Sequence, residues 1–114
     1  MTNEQIIEAG RHVLDAEAQA LRTMREGLDE NFARAAEILF SAERKVVISG
    51  VGKSGLIGQK IAATLCSTGT PAIFLHSADA VHGDLGICQP GDPVVLISKS
   101  GTTSEVVRLL PILR

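Results

Sequence analysis

The sequence predicts an α/β fold in which a doubly wound parallel sheet follows N-terminal helices. Three short, unbroken apolar runs alternate with segments of helical periodicity, and such runs are typical of strands that are buried on both faces. Glycines separate the first run from the helix behind it, as in a strand–loop–helix unit. Right-handed crossovers between such units place helices on both faces of the sheet.

Residues 1–42 are expected to form a helical segment. Thr2 or Asn3 is a candidate N-cap, and apolar residues then recur every seven positions along a long amphipathic helix. Gly27 indicates a break, and a second helix is expected over about residues 31–42. The first helix precedes the α/β unit and exceeds the mean helix length, so we interpret it as packing on a partner subunit rather than on its own domain. The residues of the second helix expected to face inward are Phe32, Ala35, Leu39 and Phe40.

Residues 43–114 are expected to form the α/β domain. Its strands are expected at residues 45–49, 71–75 and 93–97. The core-facing residues of the helix after the first strand are expected to be Ile57, Ile61, Ala62 and Leu65. Ser77 is expected to cap a short helical turn, and Pro111 to kink or end the last helix. That helix needs a further strand to return to, so we expect a sheet that is incomplete at the C-terminus and belongs to a longer protein.

The composition excludes several classes of protein. The 114 residues suffice for one modest core, and 45% apolar with 21% charged residues is globular rather than disordered. The net charge is −2, there is no basic block, and Trp and Tyr are absent, so no nucleic-acid partner is expected. Without a long apolar run or a signal peptide, no membrane contact is expected. Cys66 and Cys88 lack metal-ligand spacing; Cys66 is interpreted as a buried thiol, which fits a cytoplasmic location.

The loop after the first strand is rich in glycine. Gly50, Gly52 and Gly55 fit the dinucleotide-binding fingerprint, but no carboxylate ends the second strand to bind a ribose. A Walker A loop would need a glycine where Val47 stands. Two interpretations remain: a smaller phosphorylated ligand bound by the free N–H groups of the next helix, or a plain turn whose glycines serve packing.

A second hydroxyl-rich loop, residues 98–103, follows the third strand. Because parallel strands end at one edge of the sheet, it should lie beside the loop that contains Lys53 and Ser54. Hydroxyls, helix N–H groups and a lysine together suit a phosphate monoester. One such loop is ordinarily a helix cap, but two at the same edge favour phosphate binding.

Four segments form recognisable sequence motifs: Gly-Val-Gly-Lys-Ser-Gly at 50–55, Ala-Ala-Thr-Leu-Cys-Ser-Thr-Gly-Thr-Pro at 62–71, His-Gly-Asp-Leu-Gly at 82–86 and Ser-Lys-Ser-Gly at 98–101. They resemble the sugar isomerase (SIS) domain, and in particular the D-arabinose 5-phosphate isomerases of bacterial Kdo synthesis. The resemblance runs from about residue 8 to the end and implies a flavodoxin-like SIS fold. The last segment marks only the broad SIS domain, whereas the lysine–serine loop and the 82–86 segment are specific to the isomerases.

The resemblance implies an aldose–ketose isomerase that interconverts D-ribulose 5-phosphate and D-arabinose 5-phosphate through an enediol, for Kdo, lipopolysaccharide or capsule synthesis. It implies a homotetramer, a dimer of dimers with shared active sites, and nucleotide-sensing CBS modules in many full-length members. A phosphorylated pentose is then the ligand, and neither a metal nor a cofactor is expected. A further histidine comes, in the family, from beyond this segment, so weak or no activity is expected of the segment alone.

The resemblance also implies roles for single residues. Glu105 would be the general base, Lys53 would stabilise the enediolate oxygen, and His82 would open the sugar ring or move protons. Without the resemblance, Glu105 is a first-turn carboxylate at a helix dipole and His82 a turn histidine. The implied phosphate-binding residues are Ser54, Ser98, Ser100 and Thr103. The implied substrate-pocket residues are Gly52, His76, Gly101 and Thr102, with His76 in the pocket wall.

Two positions depart from the family pattern. Lys99 stands where Asn or Gln is common and adds charge near the phosphate, and Thr102 stands where Glu is common, which gives Glu105 more weight as the base. The identity of the sugar therefore stays open. The second hypothesis is a non-catalytic, sugar-phosphate-binding regulatory SIS module. The combination of Lys53 and His82 favours the enzyme, and the missing ribose acid disfavours a dinucleotide oxidoreductase.

Overall fold

A computed structural model describes residues 1–113 of the chain. The helices are α1 (Asn3–Glu26), α2 (Glu30–Phe40), α3 (Gly52–Ser67), α4 (Ser77–Val81) and α5 (Ser104–Val107). The strands are β1 (Val46–Gly50), β2 (Ala72–His76) and β3 (Val94–Leu96), and a 3₁₀ turn covers Asp84–Ile87. The chain divides into two compact units, Met1–Ala36 and a second unit from Glu37 on. Among the described residues, no helix is both long enough and apolar enough to cross a membrane.

In the first unit, α1 begins and ends where the sequence predicts. The Thr2 hydroxyl accepts the Gln5 N–H at 3.2 Å, and the Gln5 side chain accepts the Thr2 N–H at 2.8 Å, which is a capping box. Gly27 follows the last helical residue. None of the residues of α1 is buried, and its contact with a partner subunit stays a prediction.

In the second unit, the three strands form a parallel sheet in the order β2–β1–β3. Gly50 pairs with His76 on one side of β1, and Ser49 pairs with Leu96 on the other. The parallel α/β fold is therefore confirmed. Since β1 is central, the segments that follow the other two strands both lie next to the loop that follows β1.

The central strand β1 is buried along its whole length. Val46 and Ile48 belong to one apolar cluster with Ala62 of α3. Val47 points to the opposite face, where it belongs to a second cluster. The buried partners of Val47 there are Leu75, Ala80 and Leu109. Helical segments thus cover both faces of the sheet, as the unbroken apolar run predicts.

Helix α3 contacts the sheet mainly through glycine and alanine, and Leu65, which packs against the cluster of Val46, Ile48 and Ala62, faces inward as predicted. Gly55, Gly58 and Ala62 are its buried residues, whereas Ile57 and Ile61 are 57% and 38% exposed, so the prediction that these two residues face the core is wrong. A Cβ added at Gly58 would lie 3.0 Å from the Phe74 ring. The ring fills the space under the helix, and only a small residue fits above it.

Four further predictions about buried residues are wrong, and the first is that Ala35 of α2 faces inward, since it is exposed. Phe32 and Phe40 of α2 are 58% and 95% exposed, whereas Leu39 packs against the cluster of Val46 and Ile48. Cys66 is exposed, and its thiol lies 3.1 Å from the Ala72 carbonyl oxygen. Phe40 and Cys66 each come one residue after a core contact, which turns them about 100° away from it.

The last helix is shorter than its apolar periodicity predicts. α5 ends at Val107, and single turns follow, with the Leu109 N–H donating to the Val106 carbonyl at 3.1 Å. Pro111 has no N–H and disfavours helical geometry in the residue before it, so the helix does not continue.

Candidate active site

The loop between β1 and α3 lies against the end of β3. A Cβ added at Gly50 would lie 3.2 Å from the Ile97 carbonyl oxygen and 3.2 Å from the Gly55 nitrogen, so Gly50 serves close packing. Gly52 has open space around it but a φ of +57°, which favours glycine for a conformational reason. Pairing continues beyond the strand, because the Ile97 N–H donates to the Ser49 carbonyl at 2.9 Å.

Helix α3 begins directly behind this loop and has no side-chain cap. Its N-cap residue is Val51, whose carbonyl accepts the Gly55 N–H at 3.1 Å as the first helical hydrogen bond. The N–H groups of Gly52, Lys53 and Ser54 precede this bond, so the helix offers them no carbonyl partner. Lys53 is exposed and Ser54 is half-buried. The helix therefore presents free donors and its positive dipole end, which suits an anion.

The loop after β3 is organised by hydrogen bonds among its own hydroxyl groups. The Ser98 hydroxyl accepts the Gly101 N–H at 3.0 Å and lies 2.8 Å from the Thr103 hydroxyl. The Ser100 hydroxyl accepts both the N–H and the hydroxyl of Thr102, at 3.2 and 3.0 Å. Neither of these bonds uses the Ser100 proton, which is left to be donated to a ligand. Gly101 has a φ of +71°, which turns the loop.

These two loops lie side by side, since they follow neighbouring strands and Gly50 contacts Ile97. Ser54, Ser98, Ser100 and Thr103, the predicted phosphate-binding residues, are thus placed at one edge of the sheet. The predicted pocket residues Gly52, Gly101 and Thr102 belong to the same two loops.

Glu105 is half-buried in the first turn of α5, directly behind the second loop. Hydrogen bonds from its own backbone N–H and from the Ser104 hydroxyl, the latter at 2.8 Å, hold the pKa of its carboxyl below the usual value. The charge of Arg108 lowers this pKa further, and the His76 ring lies near enough for a charge on it to act in the same direction. The carboxylate is therefore ionised at neutral pH, as a general base must be, and the His76 ring is within its electrostatic range.

His76 ends β2 and caps α4. Its Nδ1 accepts the Ala78 N–H at 3.3 Å, and its ring meets the Phe74 ring edge-on with centroids 6.4 Å apart. The prediction that Ser77 caps this helix is wrong. Ser77 is fully buried, and its hydroxyl lies 2.8 Å from the Ser49 hydroxyl, so the preceding histidine takes the cap position.

His82 is exposed at the C-terminal end of α4, a helix that packs against α5. The backbone N–H of His82 donates to the Asp79 carbonyl at 3.0 Å. Within the described part of the chain, neither Lys53 nor His82 forms a side-chain hydrogen bond or ion pair with another predicted site residue. Glu105 thus follows the second of the two loops, and His76 lies opposite Gly50 at the start of the first, whereas Lys53 and His82 are exposed.

At the opposite end of the strands, an ion pair holds the start of β1 to the turn before β3. Lys45 Nζ lies 2.6 Å from Asp92 Oδ2, and an Arg44 guanidinium nitrogen lies 3.4 Å from Asp92 Oδ1. The hydrogen bond from Lys45 is the main cause that lowers the pKa of the Asp92 carboxyl. A cleft of about 460 Å³ adjoins this end, and its lining residues are Cys88, Gln89, Pro90, Gly91, Asp92, Val94, Ile112 and Leu113. None of the predicted site residues lines it, so it is separate from the candidate site.

The buried pair of Ser49 and Ser77 is not predicted by the sequence patterns, which indicate Ser77 only as a helix cap. The available signal was a serine in a strand that otherwise reads Val-Val-Ile before the glycine. A hydroxyl in such a strand needs a buried partner, and the structure supplies two, the Leu75 carbonyl and Ser77.

Comparison with known proteins agrees with this architecture. The SIS domain family model matches residues 38–114. Arabinose 5-phosphate isomerase KdsD of Yersinia pestis is 49% identical over 107 residues, which are 94% of this chain and 33% of the relative. Arabinose 5-phosphate isomerase GutQ of Escherichia coli K12 is 50% identical over 109 residues, which are 96% of this chain and 34% of the relative. The chain thus spans about a third of the length of these curated relatives.

A solved structure, that of E. coli CFT073 c3406 in complex with arabinose 5-phosphate, superposes with a TM-score of 0.92 at 44% identity. The superposition covers 99% of this chain and 60% of that chain. These similarities agree with the sequence motifs and with the parallel sheet and its two loops. The chain belongs to the SIS domain family.

Proposed function

We propose that the full-length protein is an aldose–ketose isomerase that interconverts D-ribulose 5-phosphate and D-arabinose 5-phosphate. The observation that carries this proposal is the ionised Glu105, placed directly behind a hydroxyl loop that lies beside the uncapped start of α3. Relatives named arabinose 5-phosphate isomerase, about half identical to this chain, support the choice of substrate.

In this proposal the phosphate binds first, between the two loops. The N–H groups at the start of α3 and the free Ser100 proton donate to its oxygens. The remaining hydroxyl donors are Ser54 and one of the pair Ser98 and Thr103, since the bond between these two hydroxyls uses the proton of the other. Because the loop after β3 is already held by its own hydrogen bonds, little ordering is needed when the phosphate arrives.

Glu105 then removes the proton from C2 of the aldose, and the electrons move to the C1 carbonyl to form an enediolate. Lys53 stabilises the negative oxygen. His82 transfers a proton from the C2 hydroxyl to that oxygen, and Glu105 returns its proton to C1 to give the ketose. The atoms balance without a metal or a cofactor.

The assembly and the pathway belong to the same proposal. We infer a cytoplasmic homotetramer, a dimer of dimers, that supplies arabinose 5-phosphate for Kdo, lipopolysaccharide or capsule synthesis. The exposed apolar residues of α1 support a contact with another subunit, since about half or more of each remains exposed. These residues include Ile6, Ile7, Val13, Leu14 and Leu21.

The test is isomerase activity of the full-length protein on ribulose 5-phosphate, measured beside Glu105→Gln. We expect Glu105→Gln to lower kcat by about 10²- to 10⁴-fold, because it removes the base. The matched control is Glu43→Gln, an exposed position before β1 that should leave kcat unchanged. Binding of arabinose 5-phosphate without turnover by the wild type would contradict the isomerase and support a regulatory SIS module.

A further inference from the structure

Ser49 and Ser77 form a directed chain of hydrogen bonds in the core. Both residues have no exposed surface. The Ser49 hydroxyl donates to the Leu75 carbonyl at 2.6 Å and lies 2.8 Å from the Ser77 hydroxyl. A carbonyl only accepts, so Ser49 uses its single proton on Leu75, and Ser77 must donate to Ser49. The chain therefore runs from Ser77 through Ser49 to Leu75.

This chain fixes the residues on both sides of His76. Leu75 and Ser77 are bound to the same hydroxyl of β1, which comes one residue before Gly50. His76 itself lies opposite Gly50 in the sheet. The backbone of His76 is thus held beside the first loop of the candidate site by two hydrogen bonds that involve no atom of the histidine.

The cap of α4 fixes the ring of His76 in turn. Nδ1 accepts the Ala78 N–H, and a neutral imidazole that accepts at Nδ1 carries its proton on Nε2. The ring, which is half-buried and within electrostatic range of Glu105, therefore has one remaining group for a ligand, the Nε2–H donor.

We propose that Ser49 and Ser77 are positioning residues that hold His76 as an Nε2–H donor to an oxygen of the bound sugar phosphate. The inference rests on the proposed function. Apolar residues at positions 49 and 77 would fill the same core without burying a hydroxyl that needs a partner. The presence of two serines is explained if their hydrogen bonds fix the backbone position of His76 and, through it, the orientation of its ring.

The first measurement does not depend on turnover. Ring ¹H–¹⁵N correlation NMR of the full-length protein identifies which nitrogen of His76 is protonated; His76→Gln assigns the signal. We expect the Nε2–H tautomer in the wild type and in Ser67→Ala, a matched control whose hydroxyl bonds only within α3, to Ala63. Ser49→Ala and Ser77→Ala should give a mixture of tautomers. An Nδ1–H tautomer in the wild type, or an unchanged tautomer in both variants, would overturn the proposal.

The second measurement is the kinetics of the same variants with arabinose 5-phosphate, each first shown to be folded by circular dichroism. We expect Ser49→Ala and Ser77→Ala to lower kcat by about 10- to 100-fold, as misplaced groups do, with KM changed by less than about threefold. Ser77→Thr, which keeps the hydroxyl, should recover most of the loss. Wild-type kcat in both folded alanine variants would contradict the positioning role. An inactive wild type would contradict only the proposed function, because the NMR result still decides how His76 is held.

Discussion

Ser98 Oγ lies 2.8 Å from Thr103 Oγ1, and this contact joins the end of β3 to the N-cap of α5. The loop between these residues is thereby closed before any ligand binds. The hydroxyls that we assign to the phosphate thus also hold one another in place, so a single deletion should affect both the donors and the shape of the loop.

Thr103→Val tests this pair, because it removes the hydroxyl and keeps the volume of the side chain. We expect the Kd for arabinose 5-phosphate to rise by about 10- to 100-fold, as expected when a hydrogen bond to a charged group worth about 1.5–3 kcal/mol is lost. The measurement is titration calorimetry. Thr64→Val is the control, since the Thr64 hydroxyl bonds only within α3, to Lys60. Equal affinity of both variants would exclude Thr103 from phosphate binding.

The pKa of Glu105 provides a test of the base. The Ser104 hydroxyl stabilises the ionised carboxylate, so Ser104→Ala should raise the pKa of Glu105 towards its ordinary value. The base must be ionised to act, and the acid limb of the kcat/KM profile should therefore move to higher pH in the variant. A pH profile of the wild type and of Ser104→Ala gives the two limbs. A limb that stays in place would show that another group is the base.

The sequence predicts the central strand and the loop at its end correctly. The unbroken run Val46 to Ile48 predicts a strand buried on both faces, and neighbouring glycine and hydroxyl residues predict the loop at its end. Both follow from local chemistry. The adjacency of the two loops follows as well, because parallel strands end at one edge.

The rest depended on contacts between distant residues. Periodicity selects Ile57 for the core, but the Phe74 ring occupies that space and leaves room only for Gly58. Ser77 has the right chemistry for a helix cap, but Ser49, 28 positions earlier, binds its hydroxyl and leaves the cap to His76. The Phe74 ring and the Ser49 hydroxyl are distant in sequence from the residues whose positions they decide, so a local sequence pattern does not reveal their effect.

Substitution by alanine should have opposite effects at two helical glycines, because Gly58 lies in the close contact between α3 and β2 and Gly10 does not. Alanine favours a helix over glycine by up to about 1 kcal/mol, so Gly10→Ala, which has open space around its Cβ, should stabilise α1 by about 0.5–1 kcal/mol. At Gly58 the new Cβ would lie 3.0 Å from the Phe74 ring and 3.2 Å from Ile48 Cγ2, and overpacking by about 1–3 kcal/mol should outweigh the gain. Urea unfolding measures the free energy of unfolding of both variants. If Gly58→Ala were stabilising, the close contact of Gly58 with the Phe74 ring would be contradicted.

The direction of the hydrogen-bond chain predicts an asymmetry between its two serines. Ser77→Ala leaves the bond from Ser49 to Leu75 intact and should lower the free energy of unfolding by about 0.5–1.5 kcal/mol. Ser49→Ala removes the only acceptor that the structure gives the buried Ser77 hydroxyl and should lower it by about 1–3 kcal/mol. The double variant no longer buries an unpaired hydroxyl, so its loss should be smaller than the sum of the two single losses. Urea unfolding of the three variants decides the matter: if Ser77→Ala were the more damaging single change, the proton of Ser49 would have to point to Ser77, and the chain would run the other way.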